Sequence, residues 1–312
     1  MTSNERVKVR FPSGGLTCAA WHYPGTNGGC VVMAAGLAVT KEPGTDRLAA
    51  RLNAAGFAVL AIDYRFLGES DGEPRQITPF AEQREDLHNA IAFARALPDV
   101  DPDRVALWGF SASAGHVFGV AAAEPGLAAA ICHSPLADGL AAFPNALRHQ
   151  APLAGLRFFA RAALDAAGRR LGRAPLLIPL AGPRGTVTSL TTPDAQTGAD
   201  ALNPNNIYPA WRQEVAAASA LAAGFYRPGR RHAANVACPL LVFVYDDDGV
   251  APPAPAIAAG ERAPRGEVAR LPGGHYAAFL DQHEATVEIL VDFLGRHLLS
   301  GSGSRASAVV GS

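Results

Sequence analysis

Unbroken apolar runs alternate with stretches of helical period along most of this chain, and one long span breaks the rhythm. Residues 6–11 and 16–23 flank Pro12-Ser13-Gly14-Gly15 and predict a β-hairpin. Residues 30–35 form a continuous apolar run ending at Gly36, the pattern of a buried strand. Leu48, Leu52 and Ala55 recur at helical spacing over 46–55, and Gly56 stops the helix. A second buried strand is expected over 57–62, then a Gly-containing loop over 64–78 and a helix over 79–97. A strand over 105–108 runs into a small-residue turn and a helix reaching about residue 123, followed by a strand over 127–132. From 138 to 235 no alternation can be followed. It resumes with a strand over 239–245, a helix over 254–262, a strand over 267–271 and a helix over 284–299 carrying Val287, Leu290, Val291 and Leu294 on one face. Strands that read as unbroken apolar runs between helices predict an α/β fold, a mostly parallel twisted sheet with helices on both faces. The expected division is a core of 1–137 and 236–300, a partly helical cap insertion of 138–235 over the strands' carboxyl ends, and a flexible Gly/Ser-rich tail of 301–312.

Composition narrows the class. In 312 residues, 49% are hydrophobic and 18% charged, enough apolar material for a sizeable core. A net charge of −1 argues against a general nucleic-acid binder. Cys18, Cys30, Cys132 and Cys238 lack metal-binding spacing and are expected as buried free thiols. The polar N-terminus and the lack of a membrane-length apolar stretch lead to the expectation of a soluble cytoplasmic protein without a membrane partner.

The candidate chemistry sits at the turn after 105–108. Gly109-Phe110-Ser111-Ala112-Ser113 approaches the nucleophile-elbow pattern Gly-x-Ser-x-Gly, in which a sharp strand-to-helix turn lifts a serine hydroxyl above the sheet. Ser111 is favoured over Ser113, which falls further into the helix. A serine nucleophile needs a base, and the base an orienting carboxylate; in proteins that resemble this elbow the acid and then the histidine follow the serine along the chain. Asp246, Asp247 and Asp248 compete for the acid just past a strand end, with Asp248, before Gly249-Val250-Ala251-Pro252, favoured. His275, on the Gly-rich loop after 267–271, is the expected base. The amides of Ala112 and Leu37 are the expected oxyanion donors. Gly36, Phe110, His133, Trp211 and Tyr276 are expected to line the substrate site, while His116 is expected as a packed, hydrogen-bonded helix histidine.

Taken together these residues resemble the α/β-hydrolase superfamily over nearly the whole chain. Residues 36–41, 63–70, 107–117 and 272–275 resemble its dienelactone-hydrolase and acyl-peptidase type serine hydrolases. The resemblance implies the α/β-hydrolase fold, a Ser111, Asp248, His275 triad without metal or cofactor, and an esterase or thioesterase role of the kind that proteins of this group often fill beside natural-product assembly lines. Two positions depart from the pattern: Ala35-Gly36 stands where the family has His-Gly, and Ser113 replaces the last elbow glycine. The expected reaction is hydrolysis of an ester or thioester through an acyl-enzyme. Acyl transfer, cyclisation or C–C cleavage on the same fold is the alternative, and a non-catalytic binding protein a third reading. The span 138–235 holds eleven arginines, no lysine and five acids, a charge of +6 that leaves −7 on the rest. An acyl carrier protein, a CoA thioester or a carboxylate substrate would fit that asymmetry, as would arginines that simply solvate helix faces. Phe143, Phe158, Phe159, Tyr208, Trp211, Phe225 and Tyr226 suit either an acyl pocket or the cap's own core.

Overall fold

A computed structural model gives the fold, with residues 6–299 described. The tail expected over 301–312 lies outside them. The order runs β1 (Val7–Ser13), β2 (Leu16–Tyr23), β3 (Cys30–Ala34), α1 (Thr45–Ala54), β4 (Ala58–Ile62), α2 (Phe80–Arg95), β5 (Val105–Phe110), α3 (Ala112–Ala123) and β6 (Ala129–His133). After a long insert come β9 (Leu240–Tyr245), α9 (Pro253–Arg262), β10 (Gly266–Leu271) and α10 (His283–Leu294). The insert holds α4 (Gly139–His149), α5 (Pro152–Arg170), β7 (Leu177–Pro179), α6 (Pro193–Leu202), β8 (Glu214–Ala216), α7 (Ala217–Gly224) and α8 (Pro228–His232).

Eight strands form one sheet in the order β1-β2-β4-β3-β5-β6-β9-β10. The hairpin pairs antiparallel to itself and to β4, and every other pairing is parallel. The apolar runs are continuous because both faces are covered. Along β3, Cys30, Val32 and Ala34 enter one core, packed by α2, α3 and α9, while Val31 and Met33 enter the other, packed by α1 and α10. The edge strand β10 is half-exposed and carries Arg270, paired with Asp246, and Glu267, paired with Arg296. Such charges discourage pairing of the open edge with another chain.

The strand order reverses at β3, with β4 on one side and β5 on the other, and a crevice opens there beyond the carboxyl ends. The insert leaves the sheet after β6 and stays tied to the 64–78 loop. Ala216 N–H donates to Gln76 O at 2.9 Å, and Thr78 N–H donates to Ser219 Oγ at 3.0 Å. α5 packs on α7, whereas α8 returns to the sheet's helical layer between α3 and α9. All four cysteines are free and buried. Among the described residues no helix is long and apolar enough to cross a membrane.

Candidate active site

Ser111 caps β5 with φ 57° and ψ −114°, a backbone conformation that L-residues rarely adopt. Such a residue stores on the order of 1–3 kcal/mol, which the surroundings must offset. They do so with backbone hydrogen bonds: Ser111 N–H donates to His133 O at 2.9 Å, and Leu136 N–H donates to Ser111 O at 3.0 Å. Gly109 is required sterically, since a Cβ there would lie 2.6 Å from the carbonyl carbon of Ser113. α3 begins at Ala112, so its partial positive end faces the serine.

The loops after β9 and β10 bring the other two groups to this hydroxyl. His275 Nε2 lies 2.9 Å from Ser111 Oγ, and His275 Nδ1 lies 2.8 Å from Asp248 Oδ2. A carboxylate only accepts, so the imidazole hydrogen sits on Nδ1 and Nε2 is left to accept from the serine. Asp248 Oδ1 accepts from Val250 N–H at 3.0 Å and Ala251 N–H at 2.7 Å, a local turn that aims the other oxygen at His275. His275 and Asp248 are 1% and 5% exposed, so bulk water does not compete for the pair. Burial pushes the Asp248 carboxyl up from its ordinary range, opposed by the His275 imidazole and the Ala251 N–H. Asp246 and Asp247 are exposed at the surface.

Ser113 is engaged elsewhere: its hydroxyl donates to Ala35 O and accepts from Tyr64 Oη–H at 2.9 Å. His116 is packed and hydrogen-bonded, with Nδ1 2.9 Å from Tyr226 Oη and Nε2 3.0 Å from Gln83 Oε1, and burial pushes it down to about 3.

Two clefts meet at Ser111. The larger, about 190 Å³, runs under α4, α5 and α7, with Phe143, Leu147, Phe158 and Phe159 among its walls, and Leu37 and Ala112 near the serine. The smaller, about 50 Å³, is lined by Gly36, Leu37, Phe110, Trp211 and Tyr276 and roofed by Ala195, Gly198 and Leu202 of α6. Among the described residues no charged side chain lines either cleft. Gly36 packs against the elbow, where a Cβ would stand 3.4 Å from Ser111 Cβ.

His133 does not line the site. It is 0% exposed, its ring stacks on Phe243 and Tyr245, and Nε2 meets Tyr245 Oη at 3.0 Å. The last residue of a strand points to the core when its alternation places it there, and β6 ends in that phase. Of the insert's other aromatics, Tyr208 donates to Asp46 at 2.9 Å and Phe225 is exposed. Sequence reasoning missed Asp194, at the start of α6, whose Oδ2 accepts from Gly249 N–H at 2.9 Å and His275 N–H at 3.3 Å.

Comparison with known proteins agrees with this architecture. Residues 26–282 match the family described as Serine aminopeptidase, S33. The chain is 36% identical over 296 residues to "Quorum-quenching protein AidA" of Acinetobacter baumannii, covering 93% of this chain and 94% of that protein. It is 33% identical over 138 residues to "Thiohydrolase apmlB" of Arthrinium phaeospermum, covering 44% and 45% of the two chains. The crystal structure of "Alpha/beta hydrolase GrgF" from Penicillium sp. sh18 superposes with a TM-score of 0.76 at 25% identity, over 94% of this chain and 99% of that one. With most of its length matched, the chain belongs to the S33 serine aminopeptidase family of the α/β-hydrolase superfamily.

Proposed function

We propose that this protein is a serine hydrolase that cleaves a small ester or thioester with an apolar acyl group. The observation that carries the reading is the line Ser111–His275–Asp248, joined at 2.9 and 2.8 Å where two uncharged clefts meet. As Ser111 Oγ attacks the carbonyl carbon, His275 Nε2 takes its proton, and Asp248 stabilises the imidazolium that forms. The N–H groups of Ala112 and Leu37 hold the oxyanion, each worth about 3 kcal/mol. The C–O or C–S bond then breaks, and the leaving group takes the proton from His275. Water, deprotonated by the same imidazole, attacks the acyl-enzyme and restores Ser111.

The larger cleft suits the acyl chain, because burying each methylene is worth about 0.8 kcal/mol and its walls are aromatic and aliphatic. The smaller cleft suits the leaving group. In this reading residues 138–235 act as the cap that forms both clefts. An aminopeptidase role is disfavoured by the lining, which offers no carboxylate for a substrate ammonium, and a carboxylate substrate by the lack of a lining cation. The name thiohydrolase carried by one relative supports a thioester among the substrates.

The experiment is hydrolysis of a panel of acyl esters and thioesters by wild type and by Ser111→Ala. The variant is expected to lose on the order of 10⁴–10⁶-fold in kcat. Unchanged turnover in Ser111→Ala would sink the assignment. Relatives named polyketide transferase favour a second reading, acyl transfer to a nucleophile other than water. Product mass separates the two: hydrolysis releases the free acid, whereas transfer joins the acyl group to the acceptor or, when the acceptor is a hydroxyl of the acyl chain itself, yields a ring one water lighter than that acid.

A further inference from the structure

Asp194 stands outside the proton path, on the insert, yet its carboxylate touches both loops that carry the histidine and the acid. Oδ2 bridges the backbone N–H groups of Gly249 and His275, at 2.9 and 3.3 Å. Oδ1 accepts from Ala195 N–H at 3.1 Å, at the start of α6. Each loop presents a glycine where the side chain packs. A Cβ on Gly249 would come within 3.0 Å of Asp194 Oδ1, and one on Gly274 within 3.2 Å of Asp194 Cβ. Burial works against the charged form, but the Thr192 hydroxyl, the Gly249 N–H, the nearby His275 imidazole and the His275 N–H together hold the Asp194 carboxyl below its usual range. Hydrogen bonds to an ionised acceptor are the strong kind. The same helix roofs the smaller cleft through Ala195, Gly198 and Leu202, so the element that grips the loops is also one a bound substrate touches.

We propose that Asp194 is a positioning residue that clamps the loops of Asp248 and His275 together from the insert, so that the reactivity of Ser111 depends on the seating of α6. The inference rests on the serine-hydrolase reading above. Its physical basis is that a displacement of about 1 Å between nucleophile and base costs on the order of 100-fold in rate.

The test is the labelling rate of Ser111 by a short-chain alkyl fluorophosphonate, which needs the nucleophile and base but little of the acyl cleft. Asp194→Ala is expected to label about 10–100-fold more slowly than wild type, and to lose kcat on a small ester with little change in KM. Asp194→Asn keeps one carbonyl acceptor in the same volume and is expected to recover part of the rate. Asp165→Ala separates a specific effect from general loosening of the insert, because Asp165 is buried there and accepts from Leu176 and Ala218 N–H, away from both loops. It is expected to label at the wild-type rate. Equal labelling of wild type and Asp194→Ala, or slowing by Asp165→Ala as large as that by Asp194→Ala, overturns the proposal. Failure of the wild type itself to label defeats the hydrolase reading instead.

Discussion

At the scale of single residues, the two departures from the family pattern touch each other. Ser113, in place of the last elbow glycine, donates its hydroxyl to the carbonyl of Ala35, in the place of the family's histidine. The close approach at the elbow falls on Gly109, whose missing Cβ leaves room for the Ser113 carbonyl group. The added hydroxyl ties the helix start to the loop that carries Leu37. Ser113→Ala is therefore expected to cost about 1–2 kcal/mol in urea unfolding and to lower ester kcat by about tenfold with KM held, through displacement of one oxyanion donor. Steady-state kinetics alongside denaturation checks both parts. Ser111 is legible in the sequence because it sits among small residues directly after the apolar run of β5, and His275 because it sits on the Gly273-Gly274 loop after the last strand. Asp194 is not. Thr191-Thr192-Pro193-Asp194 reads as an ordinary helix start, and its partners lie 55 and 81 residues away. His133 is misread because position after a strand does not tell which side of the sheet the last side chain takes.

Among the elements, the loops after β3 and β4 are joined by a buried cation. Lys41, 2% exposed, places its ammonium 2.9 Å from Asp63 Oδ2 and 2.6 Å from Glu69 Oε2, and its N–H donates to Asp63 Oδ1 at 2.8 Å. Asp63 also accepts from Glu69 N–H at 2.9 Å. Residues 36–41 and 63–70, which resemble the family separately, are thus two sides of one contact. Lys41→Met is expected to destabilise by about 3–5 kcal/mol, because it leaves the Asp63 carboxylate buried without its partner. A lowered urea midpoint with an unchanged slope would register that loss. The strands of the core are legible because both faces are buried and the apolar run is continuous. The helices of the insert are faint for the opposite reason. The only buried residue of α4 is Gly139, and α5 buries Ala154, Ala162 and Asp165 while Leu153, Leu156 and Leu164 face outward. With small residues inside and leucines outside, the usual helical stripe is inverted.

For the whole molecule, charge is distributed unevenly: +6 over 138–235 against −7 elsewhere, while the clefts themselves are uncharged. Long-range attraction and local recognition are thereby separated. An anionic carrier would be drawn to the outside of the insert, while the acyl group would be selected by shape and apolarity within. For an acyl-CoA, kcat/KM is expected to fall as salt rises from 0.01 to 0.15 M, where the screening length shortens from about 30 to about 8 Å. A neutral ester of the same acyl group is expected to show no such slope, and equal slopes would remove the steering role. Sheet class and the chain order of serine, acid and histidine follow from the sequence at this scale. The division of the crevice into two chambers does not, since it depends on where α6 lands over the sheet.

That division has a consequence for the order of events. Under the proposed acyl-enzyme mechanism, two clefts that share only Leu37, Ser111 and Leu190 would let the departing half of a substrate drain from one while its retained half stays lodged in the other. Whatever next enters the vacated side, water or a second alcohol, then decides whether the molecule ends as a scavenger of acyl compounds or as a builder of them.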